Sequence, residues 1–296
     1  MTKFKKLLLS SLVIFSLLIM GGCTDSIDSS TDLELHFIDV GQGDSTFIKT
    51  PGGYTMLIDA GDNSHGSDVV NYIKGLGVKK IDVLIGTHPD ADHIGGIDNV
   101  IDSFEIGEFY MPKKTHTTKT YADVLNAAKN SNLKIKVAVA DKIIPFDPDT
   151  KAVFLSPENQ TYSDNNSYSA VIKLTYDQNS FLLTGDTEKE NEAKMINKYG
   201  ISLQSDLIKL AHHGSSTSNT PDFLDAVNPQ VAVTSCGYKN KYSHPHKEIL
   251  SYLEENDIVL YRTDEQGDII VYSDGQKLSV NQEEAGSYEY RKANKS

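Results

Sequence analysis

Thr87-His88-Pro89-Asp90-Ala91-Asp92-His93-Ile94-Gly95-Gly96 is the stretch on which the reading of this chain turns. It follows directly on the apolar run 81–86, which has the character of a buried strand. The stretch therefore occupies the loop at a strand's C-terminal end, where α/β proteins commonly carry their chemistry. Four ligand-type side chains fall within residues 88–93. His88 and Asp90, two residues apart, can turn two donors toward one ion. The adjacent Asp92 and His93 can reach a second ion from the following turn. Imidazole and carboxylate together suit zinc, manganese or iron. Gly95 and Gly96 let the backbone curl tightly into a helix. A solvated loop with Asp92 as a helix N-cap would account for one aspartate. It would not account for two histidines flanking two aspartates.

Working outward, five further stretches carry polar residues at the ends of apolar runs. They are Phe37-Ile38-Asp39-Val40-Gly41-Gln42-Gly43-Asp44-Ser45, Leu57-Ile58-Asp59-Ala60-Gly61, Leu183-Thr184-Gly185-Asp186, Ala211-His212-His213-Gly214-Ser215 and Ser243-His244-Pro245-His246. With these in place, residues 88–93 resemble the HxHxDH signature of the metallo-β-lactamase superfamily, Asp90 standing where the middle histidine would be. The HxDxDH form followed by Gly-Gly is similar to the extracellular hydrolase domain of the competence protein ComEC. The other stretches agree with that group in order, and the resemblance covers residues 33–275.

The resemblance implies an α/β chain folded as a four-layer αββα sandwich, with the site at one rim between the sheets. It implies two divalent metal ions, zinc or manganese, held by His88, Asp90, Asp92, His93, Asp186 and His212, with Asp186 as the bridging carboxylate. His213 is then a substrate or proton-transfer residue, although the two neighbouring histidines are interchangeable on sequence alone. Asp92 would orient the nucleophile as well as bind metal, and His213 or His244 would protonate the leaving oxygen. Asp59 would orient the ligands from behind. Asp39 and Asp44 would shape the floor, or simply cap a tight turn.

One departure stands out. Many members have a third histidine for the first ion, yet no histidine occurs between His116 and His212. At that place stands Asn165-Asn166-Ser167-Tyr168-Ser169, similar to an Asn-rich segment of the ComEC group. Asn166 or Ser169 would ligate weakly or bind substrate, with Ser215 beside them. Manganese is then as suitable as zinc. His36, His65 and His116 have no motif around them and read as strand or surface residues.

The N-terminus has a different logic. Lys3, Lys5 and Lys6 precede an apolar run to Met20, which is short for a membrane span. Ile19-Met20-Gly21-Gly22-Cys23 resembles a bacterial lipobox. Residues 1–22 are thus expected to be a signal peptide and Cys23 the lipidated N-terminus of an extracytoplasmic protein anchored to the cell membrane. Residues 23–32 read as a flexible tether. Residues 33–281 are expected to form the hydrolase domain and residues 282–296 a loosely ordered polar tail. With Cys23 acylated, Cys236 has no disulfide partner and reads as a buried inert thiol in an apolar strand.

The formal charge is −13. Residues 1–22 hold three lysines and no acids, so the remainder stands at −16. Such a field repels polyanions, and an anionic substrate must be gripped locally and through metal. The expected activity is metal-assisted hydrolysis, with a phosphodiester in DNA at the cell surface favoured by the resemblance. Hydrolysis of small esters, lactones or lactams is the alternative, and a non-catalytic ligand-binding lipoprotein a further one. Asp90 counts against lactams and the intact ligand set against a degenerate site. No basic aromatic stripe announces nucleic acid. Tyr238-Lys239-Asn240-Lys241-Tyr242, just before His244, is spaced to stack bases and contact phosphates, or is a solvated loop.

Overall fold

The computed structural model describes residues 31–292. The expected signal peptide, Cys23 and most of the tether lie outside those residues.

Side-chain alternation decides the layering. The first sheet opens with β1 (Leu33–Phe37), β2 (Thr46–Lys49) and β3 (Thr55–Ile58), antiparallel neighbours, with the 38–45 segment joining the first two. Helix α1 (Gly66–Gly75) then carries the chain across, so that β4 (Lys80–Ile85) lies parallel to β3. Two short helices, α2 (Ala91–Ile94) and α3 (Ile97–Ser103), lead to β5 (Glu105–Met111). Helix α4 (Lys119–Asn130), N-capped by Thr118, leads to β6 (Ile135–Val137). The second sheet begins with the antiparallel strands β7 (Ile143–Ile144), β8 (Thr150–Ser156), β9 (Val171–Tyr176) and β10 (Asn179–Leu183). It continues in parallel through α5 (Lys189–Tyr199), β11 (Leu207–Lys209), α6 (Pro221–Val227), β12 (Val231–Thr234), α7 (Lys247–Glu255) and β13 (Val259–Arg262). After α8 (Thr263–Gln266) the chain returns to the first sheet as β14 (Ile269–Ser273) beside β1, followed by β15 (Leu278–Val280).

The apolar residues sort into three layers. Leu35, Phe37, Ile48, Val83 and Ile85 meet Phe154, Ile172, Phe181, Leu183 and Val233 between the sheets. Phe47, Leu57, Leu84 and Phe109 turn outward onto α1, α3 and α4. Leu182, Ile208 and Leu260 turn outward onto α5, α6 and α7. Each such side chain removed from water contributes about 1.5–3 kcal/mol before the entropy of ordering is set against it. The result is the αββα sandwich expected from the sequence. The C-terminal ends of the parallel strands of both sheets open at one rim, and the 88–93 loop follows the end of β4 there.

Three local features stand out. Two short helices flank Gly95 and Gly96, α2 before them and α3 after, because the two glycines lie flat against the 60–63 loop. A Cβ on Gly95 would stand 2.3 Å from the Asn63 nitrogen, and one on Gly96 would stand 2.4 Å from the Ala60 oxygen. Strand β11 stops at Lys209, and His212 and His213 just beyond it both adopt left-handed φ. The segment after Val280, expected to be loose, is held: Gly286 N–H donates to the Leu260 carbonyl at 2.7 Å, and the Tyr288 hydroxyl donates to the Ile258 carbonyl at 2.6 Å.

Candidate metal centre

Each histidine is fixed from behind, and that decides which nitrogen it presents. Asp59, itself at φ 60°, is fully buried beside the end of β3. It accepts from Thr87 N–H (2.8 Å), the Thr87 hydroxyl (2.6 Å) and His93 Nδ1 (2.8 Å). With Nδ1–H spent on Asp59, His93 offers Nε2 forward. The Thr87 hydroxyl gives its proton to Asp59, so it accepts from His88 Nδ1 at 3.1 Å, and His88 also presents Nε2. His213 Nδ1 donates to the Ser235 carbonyl at 3.0 Å, with the same consequence.

The left-handed turn that aims His213 is pinned by Asn219. Its side chain accepts from Ala211 N–H and donates to the carbonyls of Ala211 and Ser215. The buried Glu192 on α5 holds Asn219 in turn, accepting from the backbone N–H groups of Asn219 and Thr220.

Asp186, just beyond β10, stands in the middle. Its Oδ2 lies 3.3 Å from His93 Nε2, 3.6 Å from His213 Nε2, 3.7 Å from His212 Nε2 and 4.0 Å from His88 Nε2. Its backbone N–H donates to the Ser169 hydroxyl at 3.1 Å. Asp92 Oδ2 is 3.4 Å from His213 Nε2. Asp90 Oδ2 is 3.7 Å from His88 Nε2, and Asp90 Oδ1 accepts from Asn165 Nδ2 at 2.7 Å. Donor atoms of His88, His93 and Asp186 lie within 4.8 Å of one another, as do those of Asp92, His93 and His213.

These residues fit divalent cations on a direct test. The Nε2 atoms of His88, His93 and His213 and Oδ1 of Asp186 are buried and make no hydrogen bond. Leaving such groups unpaired costs about 1–3 kcal/mol each, so a convergent set of them signals a missing common partner. Carboxylates and imidazoles this close require positive charge between them, as protons or as metal. The electrostatics say the same. Burial pushes His93 down, but Asp186 and Asp59 more than offset it and hold the ring well above its usual pKa. Burial likewise opposes charge on His213, yet Asp186 and Asp44 raise it to about 10. Asp186, although burial pushes it up, is drawn well below the usual range by His93 and His213. Metal binding must displace those protons. Affinity for manganese or zinc is therefore expected to rise steadily between about pH 6 and 8.5, with proton release detectable by calorimetry in buffers of different ionisation enthalpy. A pH-independent affinity would contradict this reading of the cluster.

The structure brings together His88, Asp90, Asp92, His93 and Asp186 as expected. It brings the Nε2 atoms of both histidines of the pair close to Asp186 but buries them unequally. His213 is buried in the cluster, whereas His212 is partly exposed at the rim, with Nδ1 3.7 Å from Glu188. Ser169 is fully buried and its hydroxyl serves Asp186 and His88, so it positions ligands rather than meeting substrate. Ser215 is also buried and pairs with Thr217. Asn166 does reach the rim, donating to Glu188 at 3.2 Å. His244 lies between His212 and His213, its ring centroid 5.5 Å and 6.0 Å from theirs, and its Nδ1 has no partner. Burial, then the two neighbouring histidines, push it down to about 3 and keep it neutral. A neutral His244 can donate an N–H to substrate. Asp39 is turned away from the cluster, and its backbone N–H donates to Asp268. Asp44 is inside, as is Lys209, which no motif marked.

Similarity to known proteins agrees. Residues 38–238 match the Metallo-beta-lactamase superfamily. ComE operon protein 3 of Bacillus subtilis is 30% identical over 257 residues, covering 81% of this chain and 33% of that protein. Competence protein ComA of Neisseria gonorrhoeae is 30% identical over 230 residues, covering 77% and 30%. The chain thus spans about a third of the length of these relatives. Among solved structures, CmlA, a diiron beta-hydroxylase from Streptomyces venezuelae, shares the fold at a TM-score of 0.51 and 14% identity, covering 78% of this chain and 52% of that one. With the two-sheet sandwich, the histidine–aspartate cluster at its rim and a family match over most of its length, the chain belongs to the metallo-β-lactamase superfamily, with the hydrolase fold of that family and relatives among competence proteins.

Proposed function

We propose that this chain is a metal-dependent phosphodiesterase acting on DNA at the outer face of the cell membrane, to which lipid on Cys23 anchors it. The observation that carries the reading is the convergence of three buried, unpartnered Nε2 atoms on Asp186. The competence-protein relatives supply the choice of DNA. In this reading His88, Asp90 and Asp186 would hold one divalent ion, and Asp92, His93 and His213 would hold a second. The lack of a histidine between His116 and His212 makes manganese as suitable as zinc. When bound, such ions activate water near neutral pH and offset charge on a phosphate.

The chain's own residues do the rest. Asp59, Thr87, Ser169 and Ser235 fix the imidazole rings, so no reorganisation is needed as charge develops. Asp92, half-open to solvent, faces the substrate side and orients the attacking group. His212, Asn166 and His244 line the rim where a phosphate would enter, offering N–H donors to its oxygens. The test is degradation of labelled DNA by the chain with added manganese or zinc. A folded, metal-loaded chain that cuts no phosphodiester would sink the proposal and turn the search to esters and lactams.

The 238–242 loop gives a second prediction. Asn240 is buried at its centre and organises it, donating to the carbonyls of Gly237 and His244 and accepting from Tyr242 and His244 N–H. Tyr238 and Tyr242 are left exposed, each with a lysine ammonium over its ring, and Tyr242 stacks on His244 at 5.5 Å. Replacing Lys239 and Lys241 together by glutamate is expected to raise KM for DNA. The slope of log affinity against log salt should also flatten, by about one for each phosphate that a lysine no longer grips. An unaltered salt slope would remove this loop from the substrate path.

A further inference from the structure

Lys209 has no place in the ligand set, yet it is among the most deeply buried charges in the molecule. The reason is local. In β11, Leu207 faces the core between the sheets and Ile208 faces the helices, so strict alternation turns Lys209 inward. Burying an ammonium there is costly unless it is paired. Its Nζ lies 2.5 Å from Asp44 Oδ2, and both side chains are 3% exposed. Asp44 is delivered by the Phe37–Ser45 segment. Its N–H donates to the Asp92 carbonyl at 3.1 Å, and Gly43 permits that approach, since a Cβ there would stand 2.4 Å from the Asp92 oxygen. Asp44 Oδ1 is 3.3 Å from His213 Nδ1, and Oδ2 is 3.7 Å from His93 Nδ1. The pair thus lies against the rear faces of two histidines of the centre.

We propose that Lys209 and Asp44 form an internal ion pair that sets the charge of the metal centre at the value its divalent cations neutralise. Five carboxylates touch the three buried histidines: Asp44, Asp59, Asp90, Asp92 and Asp186. Among the described residues, Lys209 is the one lysine or arginine paired with any of them. With neutral imidazoles, five negative charges less one leave four, which two divalent cations cancel. A centre without net charge admits an anionic phosphodiester. Without Lys209 it would retain one negative charge and repel that substrate. The count of two cations and the consequence for substrate rest on the function proposed above. The effect of the pair on cation affinity does not.

With Nζ 2.5 Å from Oδ2 and both side chains buried, each charge is the other's counter-ion. Charge acts at a distance in such an interior, whereas packing does not. Adding a net negative charge by Lys209→Met and removing one by Asp44→Asn should therefore have opposite effects, and the double variant should return the centre to its native charge.

The experiment is calorimetric titration of the metal-free chain with manganese, beside thermal unfolding with and without the metal. Lys209→Met is expected to tighten manganese binding by about tenfold and Asp44→Asn to weaken it by about as much, the scale on which residues behind metal ligands act. The double variant is expected to fall within about threefold of the native chain, because the two charge changes cancel. The metal-induced rise in Tm should grow, shrink and return in the same order. Both single variants shifting affinity the same way, or not at all, would overturn the proposal in favour of a packing role. Should Lys209→Met not fold, the comparison of Asp44→Asn with the double variant decides. Affinity restored by the second change upholds the ion pair, and no restoration overturns it. A chain that passes these tests yet cuts no DNA would refute the proposed function alone.

Discussion

Asp186→Ala is expected to abolish metal-dependent hydrolysis. Among the described residues its carboxylate is the one group within 4.0 Å of all four of His88, His93, His212 and His213. Removing it leaves three buried imidazole nitrogens without their common counter-charge and separates the two candidate ligand groups. A bound cation contributes several kcal/mol of charge stabilisation. At about 1.4 kcal/mol per tenfold in rate, losing about 4 kcal/mol lowers turnover roughly a thousandfold. The measurement is cleavage of labelled DNA in manganese, beside the metal-induced shift in Tm. Loss of both is expected. A variant that keeps its metal-induced shift and its rate would show that the ions bind elsewhere.

Arg262→Ala is expected to be the most damaging change to stability away from the site. Arg262 is fully buried at the end of β13. Its guanidinium makes a two-pronged contact with Asp264 through Nε and Nη2, each at 2.9 Å, and lies 3.2 Å from Glu265. Its Nη1 donates to the carbonyls of Ser287 and Glu289 at 3.0 and 2.9 Å. Alanine would strand the buried Asp264 carboxylate and release the C-terminal segment together. Breaking a buried pair by removing one partner costs about 3–5 kcal/mol. Arg291, half-buried and 3.4 Å from Asp264, offsets only part of that. Chemical denaturation should show the loss, and limited proteolysis should open the chain near residues 282–292 first. A loss below about 1 kcal/mol would mean that Arg291 replaces it.

Much of the fold and of the ligand set follows from short-range pattern. The apolar run over β4 followed by two histidines and two aspartates marks a strand, a loop and a metal centre without any knowledge of the other sheet. Period-two alternation in β1 and β3 separates the inter-sheet face from the helix-facing one. Asp59, at the end of a strand, was expected from the resemblance as a group behind the ligands, and it lies on His93 and Thr87.

What local pattern could not supply is direction. His212 and His213 are adjacent and chemically identical, and their roles depend on a left-handed turn held by Asn219 and on a carbonyl of β12's extension, Ser235. Ser169 looks like a substrate hydroxyl in sequence, yet it is consumed by Asp186 and His88 from other parts of the chain. The tail reads as polar and loose because its anchors, Arg262 and the carbonyls of Ile258 and Leu260, lie more than twenty residues away. Lys209 reads as one more strand residue, and parity alone could have shown it pointing inward. That it meets Asp44 there, and through it two histidines of the centre, was decided only when β11 and the Phe37–Ser45 segment closed on each other. The sequence by itself determined the ligand chemistry of residues 88–93, because it is carried by spacing along one strand and loop, and through the family resemblance of its motifs it implied the layers. The tertiary structure decided which nitrogens converge on Asp186 and what charge lies behind them, because those depend on partners that distant segments bring together.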